Sequence, residues 1–591
     1  MKNILTNLLF FVILLATFTF ADTLSDYSRA RKLFNTEQKM ESYILLRNIS
    51  QTTSEVQDFA LYYYAKLSSR EDSIPIYEQL LKMYPDFIFA QSLRNEILDY
   101  SFTKEAWGKL SSAEVWNLAK IYNSRARWAD SKKAFSYWFK NYPSADKVIE
   151  AKYLSGINAT KLGEYAAAYS FFADVINSSD KRFSNLARIQ KAKLIYVQKG
   201  IDAGIEAYLH LRENYSSNLY LMETVLLELA SLYRINDRYA EAEECYVTYL
   251  KMFPERQTSD EIRFQLGRML YISGNYLSAE KYFDEVVEKE KVDQTVGPVS
   301  LFILTLLSET TPIRRKELYE RLFKEYPWTY YGHLAARCLG KSFRREPDVL
   351  NKDIDIKMLS QRAAFFIELG DYETAALFLR PKFFANTSNL ALALYLIELY
   401  EKNNDQYNAL GISDVVWRNH QNKGKLYTMP TVFWEKANPL YFWEDVNKES
   451  QKYGLDPYMV LALMRQESRF NAKAISKSNA RGLMQLMLPT AKAVARGFNL
   501  DKYDLDDPST NIMFGVNYFA EMTKRHPNNK EYVLSCYNAG PNRTAVWVSE
   551  NRQLQTEDFI EQIPYTETRN YVKVVMRNYW NYRDLYAKNV Y

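Results

Sequence analysis

The stretch LALMRQESRFNAKAISKSNARGLMQLM, from Leu461 to Met487, begins as an apolar helix and places one acid in line with its apolar residues. Val460, Leu463 and Met464 lie seven, four and three residues before Glu467. Those offsets put all four side chains on one face of a helix, and a face this apolar is expected to pack inward. The sequence therefore predicts a buried glutamate.

The same helix has clear start signals, and its last turn carries the acid. Asp456 is a favourable N-cap and Pro457 a favourable first helical residue. Glu467 then falls near the carbonyl end of the helix, where the potential is negative. Because burial and this potential both oppose ionisation, we expect a raised pKa for the Glu467 carboxyl. A carboxyl group that keeps its proton near neutral pH is suited to protonating a poor leaving group.

A structural role for Glu467 is the alternative. Perturbed acids also serve structure, and a buried carboxylate can be held by arginine. The arginines nearest in sequence are Arg465, Arg469 and Arg481. A different helix phase would instead leave Glu467 on the surface. This helix alone leaves these alternatives open.

Length and composition place the helix in a large, mainly α protein. The 591 residues are enough for several domains, and 47% of them are apolar, which is ample for packed cores. Only 18 Gly and 17 Pro accompany 47 Tyr and 32 Phe, which favours helices with aromatic packing. A net charge of +5 is slight for this length, and there is no basic tract. Nucleic acid is therefore not an expected partner.

The first residues are typical of an export signal. Lys2 supplies a positive start, an apolar run covers Leu8 to Phe20, and Thr19 and Ala21 fit a small-residue cleavage site. We predict a signal peptide over residues 1–21 and a protein that works in the periplasm or cell envelope. An uncleaved membrane anchor is the alternative.

The cysteines and histidines give no reason to expect a cofactor. Cys245, Cys338 and Cys536 are far apart and odd in number, so each is interpreted as a small buried apolar residue. The four histidines have no metal-ligand spacing. We therefore expect neither a metal nor an organic cofactor.

A repeat occupies the first two thirds of the chain. In each copy of the repeat, an aromatic residue is followed after three residues by a small residue, and after four more by a bulky one. The copies that match this pattern well begin 37 or 74 residues apart. The copies are Trp128/Ser131/Phe135, Tyr165/Ala168/Phe172, Tyr239/Ala242/Tyr246, Tyr276/Ala279/Phe283 and Tyr372/Ala375/Leu379. A second marker, an aromatic residue before Pro, recurs at Tyr84, Tyr142, Phe253 and Tyr326. A period in the thirties predicts stacked helical hairpins like tetratricopeptide (TPR) repeats.

These patterns divide the chain into four parts. We predict the signal peptide over 1–21, an α-superhelical array over 22–385, a helical linker domain over 386–438 and a compact helical domain over 439–591. Repeat arrays usually present surfaces, so we interpret the array as a scaffold or guide. The chemistry is then expected in the last part.

Further motifs in the last part have the side chains that a sugar-binding cleft needs. GLMQLM offers an amide and an apolar wall, CYNAGP a ring and an amide before a turn, and IPYTETRNYV an acid and a ring on one helix face. The residues concerned are Gln485, Met487, Tyr537, Asn538, Glu567 and Tyr571. Each motif alone is weak evidence, because such residues often only pack or cap helices.

Taken together with RQESRFN, these motifs closely resemble the catalytic domain of soluble lytic murein transglycosylases, in the family's order. The resemblance implies a lysozyme-like fold for the C-terminal domain, carried on an α-superhelix. It implies that Glu467 is the catalytic acid. It also implies substrate-binding roles for Ser476, Gln485, Met487, Tyr537, Asn538, Glu567 and Tyr571.

The activity that this resemblance implies is cleavage of the β-1,4 bond between N-acetylmuramic acid and N-acetylglucosamine in peptidoglycan, with formation of 1,6-anhydromuramic acid ends. The partners expected are glycan strands and proteins of cell-wall synthesis or division, and the protein is expected to act as a monomer. Two alternatives stay open: a lysozyme-type hydrolase, which would need a second carboxylate such as Asp504, Asp506, Asp507 or Glu521, and a non-catalytic peptidoglycan-binding scaffold.

The sequence departs from the family pattern at three positions. Asn479 replaces a glycine, Leu488 replaces a proline that comes one residue later as Pro489, and Cys536 replaces an alanine. None of these changes touches Glu467, so they bear on the shape of the cleft rather than on its chemistry.

Overall fold

The computed structural model describes residues 22–587, with the exception of 105–107, 109, 144–145, 257, 290–294, 308–310, 344–353, 423–425 and 553. The side chains of residues 422 and 427 are also excluded. The described chain is helical. Regular strands are absent from it, and isolated bridges join Ile475 to Arg481 and Arg481 to Leu486. The predicted signal peptide over 1–21 lies outside the described residues.

The chain forms two compact units, residues 1–259 and 260–591. The first unit consists of helices that follow one another with short connections. Its helices are α1 (22–33), α2 (Lys39–Ser50), α3 (Gln57–Leu67), α4 (Arg70–Met83), α5 (Ala90–Thr103), α6 (Ser112–Ser124), α7 (Trp128–Asn141), α8 (Val148–Lys161), α9 (Tyr165–Ile176), α10 (Lys181–Lys199), α11 (Ile201–Asn214), α12 (Leu219–Ile235) and α13 (Tyr239–Met252).

The second unit begins one residue into α14 and contains the rest of the chain. Its helices are α14 (Ser259–Ile272), α15 (Tyr276–Val287), α16 (Gly297–Leu306), α17 (Pro312–Glu325), α18 (Tyr330–Leu339), α19 (Ile356–Leu359), α20 (Gln361–Glu368), α21 (Tyr372–Ala385), α22 (Leu390–Lys402), α23 (Gln406–Asn422), α24 (Thr431–Ala437), α25 (Trp443–Lys452), α26 (Pro457–Ser468), α27 (Leu488–Gly497), α28 (Pro508–Arg525), α29 (Lys530–Ala539), α30 (Pro541–Glu550), α31 (Thr556–Gln562) and α32 (Thr566–Tyr586).

The repeat markers have one structural meaning throughout. The first aromatic residue of each copy is the first residue of a helix, as Tyr165 is of α9 and Tyr276 is of α15. The small residue three positions later is fully buried, as at Ala168 and Ala279, which lets two helices approach closely. Helical hairpins such as α8–α9 result, and this prediction is confirmed.

The aromatic residue before each proline ends a helix, as predicted. Tyr84, Tyr142, Phe253 and Tyr326 are the C-caps of α4, α7, α13 and α17, with φ near −130° and ψ between 49° and 72°. The following proline has no N–H to continue the helix, and it disfavours helical backbone at the residue before it.

The second unit joins its first helices to its last through buried polar contacts. Tyr331 of α18 donates a hydrogen bond of 2.7 Å to Glu561 of α31, and Lys573 of α32 forms an ion pair of 3.2 Å with the same carboxylate. Tyr271 of α14 donates a hydrogen bond of 2.7 Å to Asp558 of α31. These contacts fix α31 and α32, the last two helices, against α14 and α18.

The three cysteines were predicted to be small buried residues. Cys245 and Cys536 are buried, as predicted, but Cys338 is exposed near the end of α18, so the prediction is wrong for Cys338. The thiol of Cys338 faces solvent, and the spacing of the residues around it did not predict this. The domain boundaries at 385/386 and 438/439 stay predictions.

None of the helices that the structure describes is both long and apolar enough to cross a lipid bilayer.

Candidate active site

Helix α26 places the acid as its sequence predicts. Asp456 caps the helix by accepting a hydrogen bond of 3.0 Å from the Tyr458 backbone N–H, and Pro457 is its first residue. Val460, Leu463 and Met464 are fully buried on the face that carries Glu467. Glu467 lies in the last turn, as predicted, and is half-buried rather than fully buried.

The environment of Glu467 opposes ionisation. Burial raises the pKa of Glu467 from 4.5 to about 7, and the charge of Glu567 adds to that rise. The hydroxyl of Tyr571 donates a hydrogen bond of 2.6 Å to Oε1 of Glu467 and acts in the opposite direction, because it stabilises the carboxylate. A carboxyl with this pKa is part protonated near neutral pH and can both give and take a proton.

The arginines near Glu467 in sequence do not bind it. Arg465 and Arg469 form ion pairs of 2.8 Å and 3.2 Å with Asp414 of α23. Among the described residues, neither these arginines nor Arg481 forms an ion pair with Glu467. The alternative in which Glu467 is held by an arginine is therefore wrong. A helix places side chains two residues apart on opposite faces, so Arg465 points away from Glu467. Arg469 lies beyond the end of the helix and pairs with the same Asp414.

The chain turns sharply just after the acid. Arg469 and Phe470 have φ of 51° and 61°, which is left-handed backbone that non-glycine residues adopt at a cost. Phe470 is buried and its ring packs edge-on to Tyr441, with ring centroids 5.4 Å apart. This turn ends α26 immediately beyond Glu467 and begins the loop over 471–487.

The GLMQLM segment is held to three helices by hydrogen bonds to its backbone. Ser468 of α26 donates to the Leu483 carbonyl at 2.8 Å, and Tyr537 of α29 donates to the Met484 carbonyl at 2.8 Å. Asn511 of α28 accepts from the Met484 N–H at 2.8 Å. The loop is therefore a fixed wall beside Glu467 rather than a free surface loop.

Gly482 is required by this arrangement. Its φ is +77°, and a Cβ added there would overlap the Asn511 side-chain amide and the Leu505 carbonyl oxygen. Asn511 also donates to the carbonyls of Arg481 and Leu505, at 3.0 Å and 2.9 Å. No side chain larger than hydrogen fits between these groups without moving the backbone.

Three of the predicted cleft residues belong to this loop. Ser476 accepts a hydrogen bond of 3.0 Å from the Ala480 N–H, and Gln485 donates to the carbonyls of Ala474 and Gly482 at 3.1 Å and 2.9 Å. Ser476 and Gln485 thus maintain the loop as well as lying in it. Met487 is 42% exposed, which leaves its thioether side chain available for contact.

The remaining predicted residues come from α29 and α32. Burial raises the pKa of Tyr537 well above its usual range, and the charge of Glu467 adds to that rise. Asn538 accepts a hydrogen bond of 2.7 Å from Thr568 of α32. Glu567 is exposed in the first turn of α32, while Tyr571, one turn later, is buried against Glu467.

The three departures from the family pattern fit the fold. Asn479 has φ of 63°, and Asn tolerates that conformation better than most residues. Helix α27 begins at Leu488 with Pro489 as its second residue, so the shifted proline still stands in its first turn. Cys536 is completely buried.

The residue that sequence reasoning missed is Asn511. It is 1% exposed and makes three hydrogen bonds to the loop and its neighbour, yet it belongs to none of the recognised motifs. A signal exists: Asn511 shares a helix face with Phe514, Gly515 and Tyr518, so it is a polar residue on an otherwise apolar face. A buried amide at such a position is expected to have partners.

Together these observations define a class of protein: a helical domain in which a glutamate of raised pKa lies beside a rigid loop and tyrosine side chains, and which follows helical hairpins of TPR type in the chain. Comparison with family models agrees with both parts. Residues 444–560 match the transglycosylase SLT domain, and residues 224–256 match a tetratricopeptide repeat.

Known proteins match in sequence and in fold. The soluble lytic murein transglycosylase of Escherichia coli is 26% identical over 282 residues, which are 46% of this chain and 41% of that protein. Matched segments cover between 23% and 41% of the length of the curated relatives.

Two solved structures extend the likeness to nearly the whole chain. The 70 kDa soluble lytic transglycosylase of E. coli has a TM-score of 0.58 at 18% identity, covering 96% of this chain and 97% of that one. An inactive mutant of lytic transglycosylase Slt from Pseudomonas aeruginosa has a TM-score of 0.61 at 19% identity, covering 95% and 97%. The C-terminal domain is therefore lysozyme-like in fold, and the chain shares the fold of these soluble lytic transglycosylases over nearly its whole length.

Proposed function

We propose that this protein is a lytic transglycosylase that cleaves the β-1,4 bond between N-acetylmuramic acid and N-acetylglucosamine in peptidoglycan. The observation that carries the proposal is the pKa of Glu467, which burial raises to about 7 at the end of a helix in the matched SLT domain. The segment over 1–21 supports action in the periplasm or cell envelope. Glycan strands are the proposed ligand of the cleft.

In the proposed mechanism Glu467 acts first as an acid. Its proton passes to the glycosidic oxygen as the bond from that oxygen to C1 of the muramic acid breaks. The substrate's own N-acetyl group stabilises the positive charge that develops at C1. Tyr571 supports this step, since its hydrogen bond of 2.6 Å stabilises the carboxylate that forms when the proton leaves.

Glu467 then acts as a base. The C6 hydroxyl of the same sugar bonds to C1 and gives its proton to the Glu467 carboxylate. This step closes the 1,6-anhydro ring, restores the acid and consumes no water. A carboxyl with a pKa near neutrality serves both steps, because neither its protonated nor its ionised form is strongly disfavoured.

The remaining cleft residues are proposed to bind glycan. Tyr537 presents an aromatic ring beside the acid, and Met487 an exposed apolar surface, while Gln485 and Asn538 carry amides. The backbone hydrogen bonds that fix Ser476 and Gln485 keep this wall in place before substrate arrives, which lowers the cost of ordering it on binding.

A lysozyme-type hydrolase is the enzymatic alternative. In such an enzyme, Glu567 is the candidate for the second reacting carboxylate. Such enzymes need a second carboxylate near the acid. Glu567 is the carboxylate whose charge acts on Glu467, whereas Asp504, Asp506, Asp507 and Glu521 have no resolved effect on it. Glu567 is exposed in the first turn of α32.

The test is the mass of the products from purified peptidoglycan. We expect ends that are one water lighter than hydrolysed ends. Reducing ends as the main product would overturn the transglycosylase proposal in favour of a hydrolase. Glu567→Gln separates the two further: it should weaken binding moderately in a transglycosylase and abolish turnover if Glu567 is a second reacting carboxylate.

Glu467→Gln tests the acid itself. We expect turnover to fall by at least about 100-fold, because the variant has no exchangeable acid proton, while glycan binding and helix content stay unchanged. Turnover is measured by release of soluble fragments, and binding by co-sedimentation with insoluble peptidoglycan. Turnover close to that of the unmodified protein would show that Glu467 is not the acid; binding without turnover in the unmodified protein would favour the scaffold alternative.

A further inference from the structure

A polar cavity rich in arginine lies on the side of α26 that faces away from Glu467. It has a volume of about 390 Å3 and is formed where α23, α26 and α32 meet. The residues that matter for its chemistry are Asp414, Trp417, Arg418, Arg465, Arg469 and Arg577. Nothing in the proposed reaction uses this cavity.

The cavity has four guanidinium groups and one carboxylate. Asp414 already pairs with Arg465 at 2.8 Å and Arg469 at 3.2 Å. Among the described residues, Arg418 and Arg577 form no ion pair, and Arg418 donates only to the Asp414 backbone carbonyl at 3.3 Å. The cavity therefore holds more positive charge than its own carboxylate neutralises.

Arg577 is the group that most lacks a counter-charge. It is half-buried, its guanidinium carbon lies 5.2 Å from the centre of the Trp417 ring, and it donates to the neutral side-chain oxygen of Asn578 at 2.9 Å. Burial and the neighbouring Arg465 lower the pKa of Arg577 to about 10. The charge of Asp414 acts in the opposite direction but is already paired with Arg465 and Arg469. A desolvated cation without an ion-pair partner is costly, and a bound anion would reduce that cost.

We propose that this cavity is an anion-binding site that takes a compact oxyanion, either a phosphate or a carboxylate group. Arginine forks bind both through paired N–H donors. The anion would lie between Arg577, Arg418 and Arg469, where α23, α32 and the end of α26 meet. Because Arg469 is the left-handed residue that terminates α26, an anion held there would also stabilise the turn directly after Glu467.

The full-length protein is titrated with sodium phosphate and, separately, with sodium malonate, each against sodium chloride at equal ionic strength. Binding is measured by calorimetry and by the indole N–H resonance of Trp417, which Trp417→Phe identifies. We expect saturable binding that shifts this resonance, and no saturation with chloride. Phosphate alone would indicate a phosphate ligand, and comparable malonate binding a carboxylate ligand.

Two arginine variants and one matched control locate the site. Arg577→Gln and Arg418→Gln should each weaken binding at least about tenfold, since each removes charged hydrogen bonds to the anion. Arg496→Gln changes an exposed arginine of α27 outside the cavity and should leave the affinity unchanged. If Arg577→Gln fails to fold by circular dichroism, the exposed Arg418 decides alone. Absence of saturation, or affinities unaltered by both cavity variants, would overturn the proposal.

Discussion

Helix α32 contacts the half-buried Glu467 and the buried Glu561 in opposite ways. Tyr571 of this helix donates to Glu467, and Lys573, two residues later, pairs with Glu561. Burial raises the pKa of Glu467 to about 7. Burial alone would also raise the pKa of Glu561, but Lys573, Tyr331 and Arg569 outweigh it and hold that pKa below its usual value.

The difference between the two sites lies in the partner. A cation stabilises a carboxylate far more than a hydroxyl does, because it compensates the full charge that burial penalises. Glu561 is therefore a fixed charge that ties α31 to α18 and α32. Glu467 has only a hydroxyl partner and remains able to exchange its proton.

The largest effect expected from this comparison is the loss of the cation. Lys573→Met removes the ion-pair partner of Glu561 and leaves this buried charge with the Tyr331 hydroxyl and the more distant charge of Arg569, so we expect the free energy of unfolding to fall by about 3–5 kcal/mol. Urea denaturation followed by circular dichroism measures it. Lys524→Met is the matched control, since Lys524 pairs with Glu521 on the surface and should cost less than about 1 kcal/mol. Equal costs for both variants would contradict the assignment of Glu561 as a structural anion.

The two glutamates should also differ in how pH affects stability. The folded-state pKa of Glu467 is raised, so its contribution to stability is present below pH 4.5 and is lost as pH rises through about 7. Relative to the unmodified protein, Glu467→Gln should therefore gain about 2–6 °C in unfolding midpoint between pH 5 and pH 8.

Glu561→Gln serves as the opposite case. The pKa of Glu561 is lowered, so its contribution is present above the unfolded-state pKa and is lost only as pH falls through the folded-state value. We expect Glu561→Gln to lower the unfolding midpoint at both pH 5 and pH 8. Scanning calorimetry at the two pH values checks both variants. If Glu467→Gln had a lower unfolding midpoint than the unmodified protein at pH 8, the raised pKa of Glu467 would be refuted.

The smallest effect concerns the hydroxyl partner. The Tyr571 hydrogen bond lowers the pKa of Glu467, so Tyr571→Phe should raise it further and move the alkaline fall of activity upward by up to about one pH unit. The pH dependence of fragment release measures the shift. Tyr537→Phe is the control, because its hydroxyl donates to the Met484 carbonyl instead. A downward shift for Tyr571→Phe would mean that Tyr571 stabilises the protonated form.

Part of the site could be predicted because it depends on local rules. The spacing of Val460, Leu463 and Met464 fixed the face of α26 that carries Glu467, and the Asp456–Pro457 pair fixed where the helix begins. Helical periodicity needs only a few consecutive residues, so a single stretch suffices. The repeat markers succeeded for the same reason, since each first aromatic and each Tyr-Pro or Phe-Pro pair marks a helix terminus.

Other features depend on pairs that are distant in sequence. Asn511 reaches the Met484 backbone across 27 residues, and Tyr571 reaches Glu467 across 104. The family motifs include Tyr571 but do not say which atom it contacts. Asp414 forms ion pairs with Arg465 and Arg469, so these arginines do not pair with Glu467. Asp414 lies in the predicted linker, and none of the sequence motifs includes it.

By itself, the sequence determined a helical protein whose last domain places Glu467 on an apolar helix face, because the side chains on one helix face are fixed by spacing alone. Only the tertiary structure decided that, among the described residues, no arginine forms an ion pair with this glutamate, while Lys573 pairs with Glu561. The reason is physical: burial makes an acid harder to ionise, but its proton affinity depends on which charges and donors the folded chain brings within hydrogen-bonding distance.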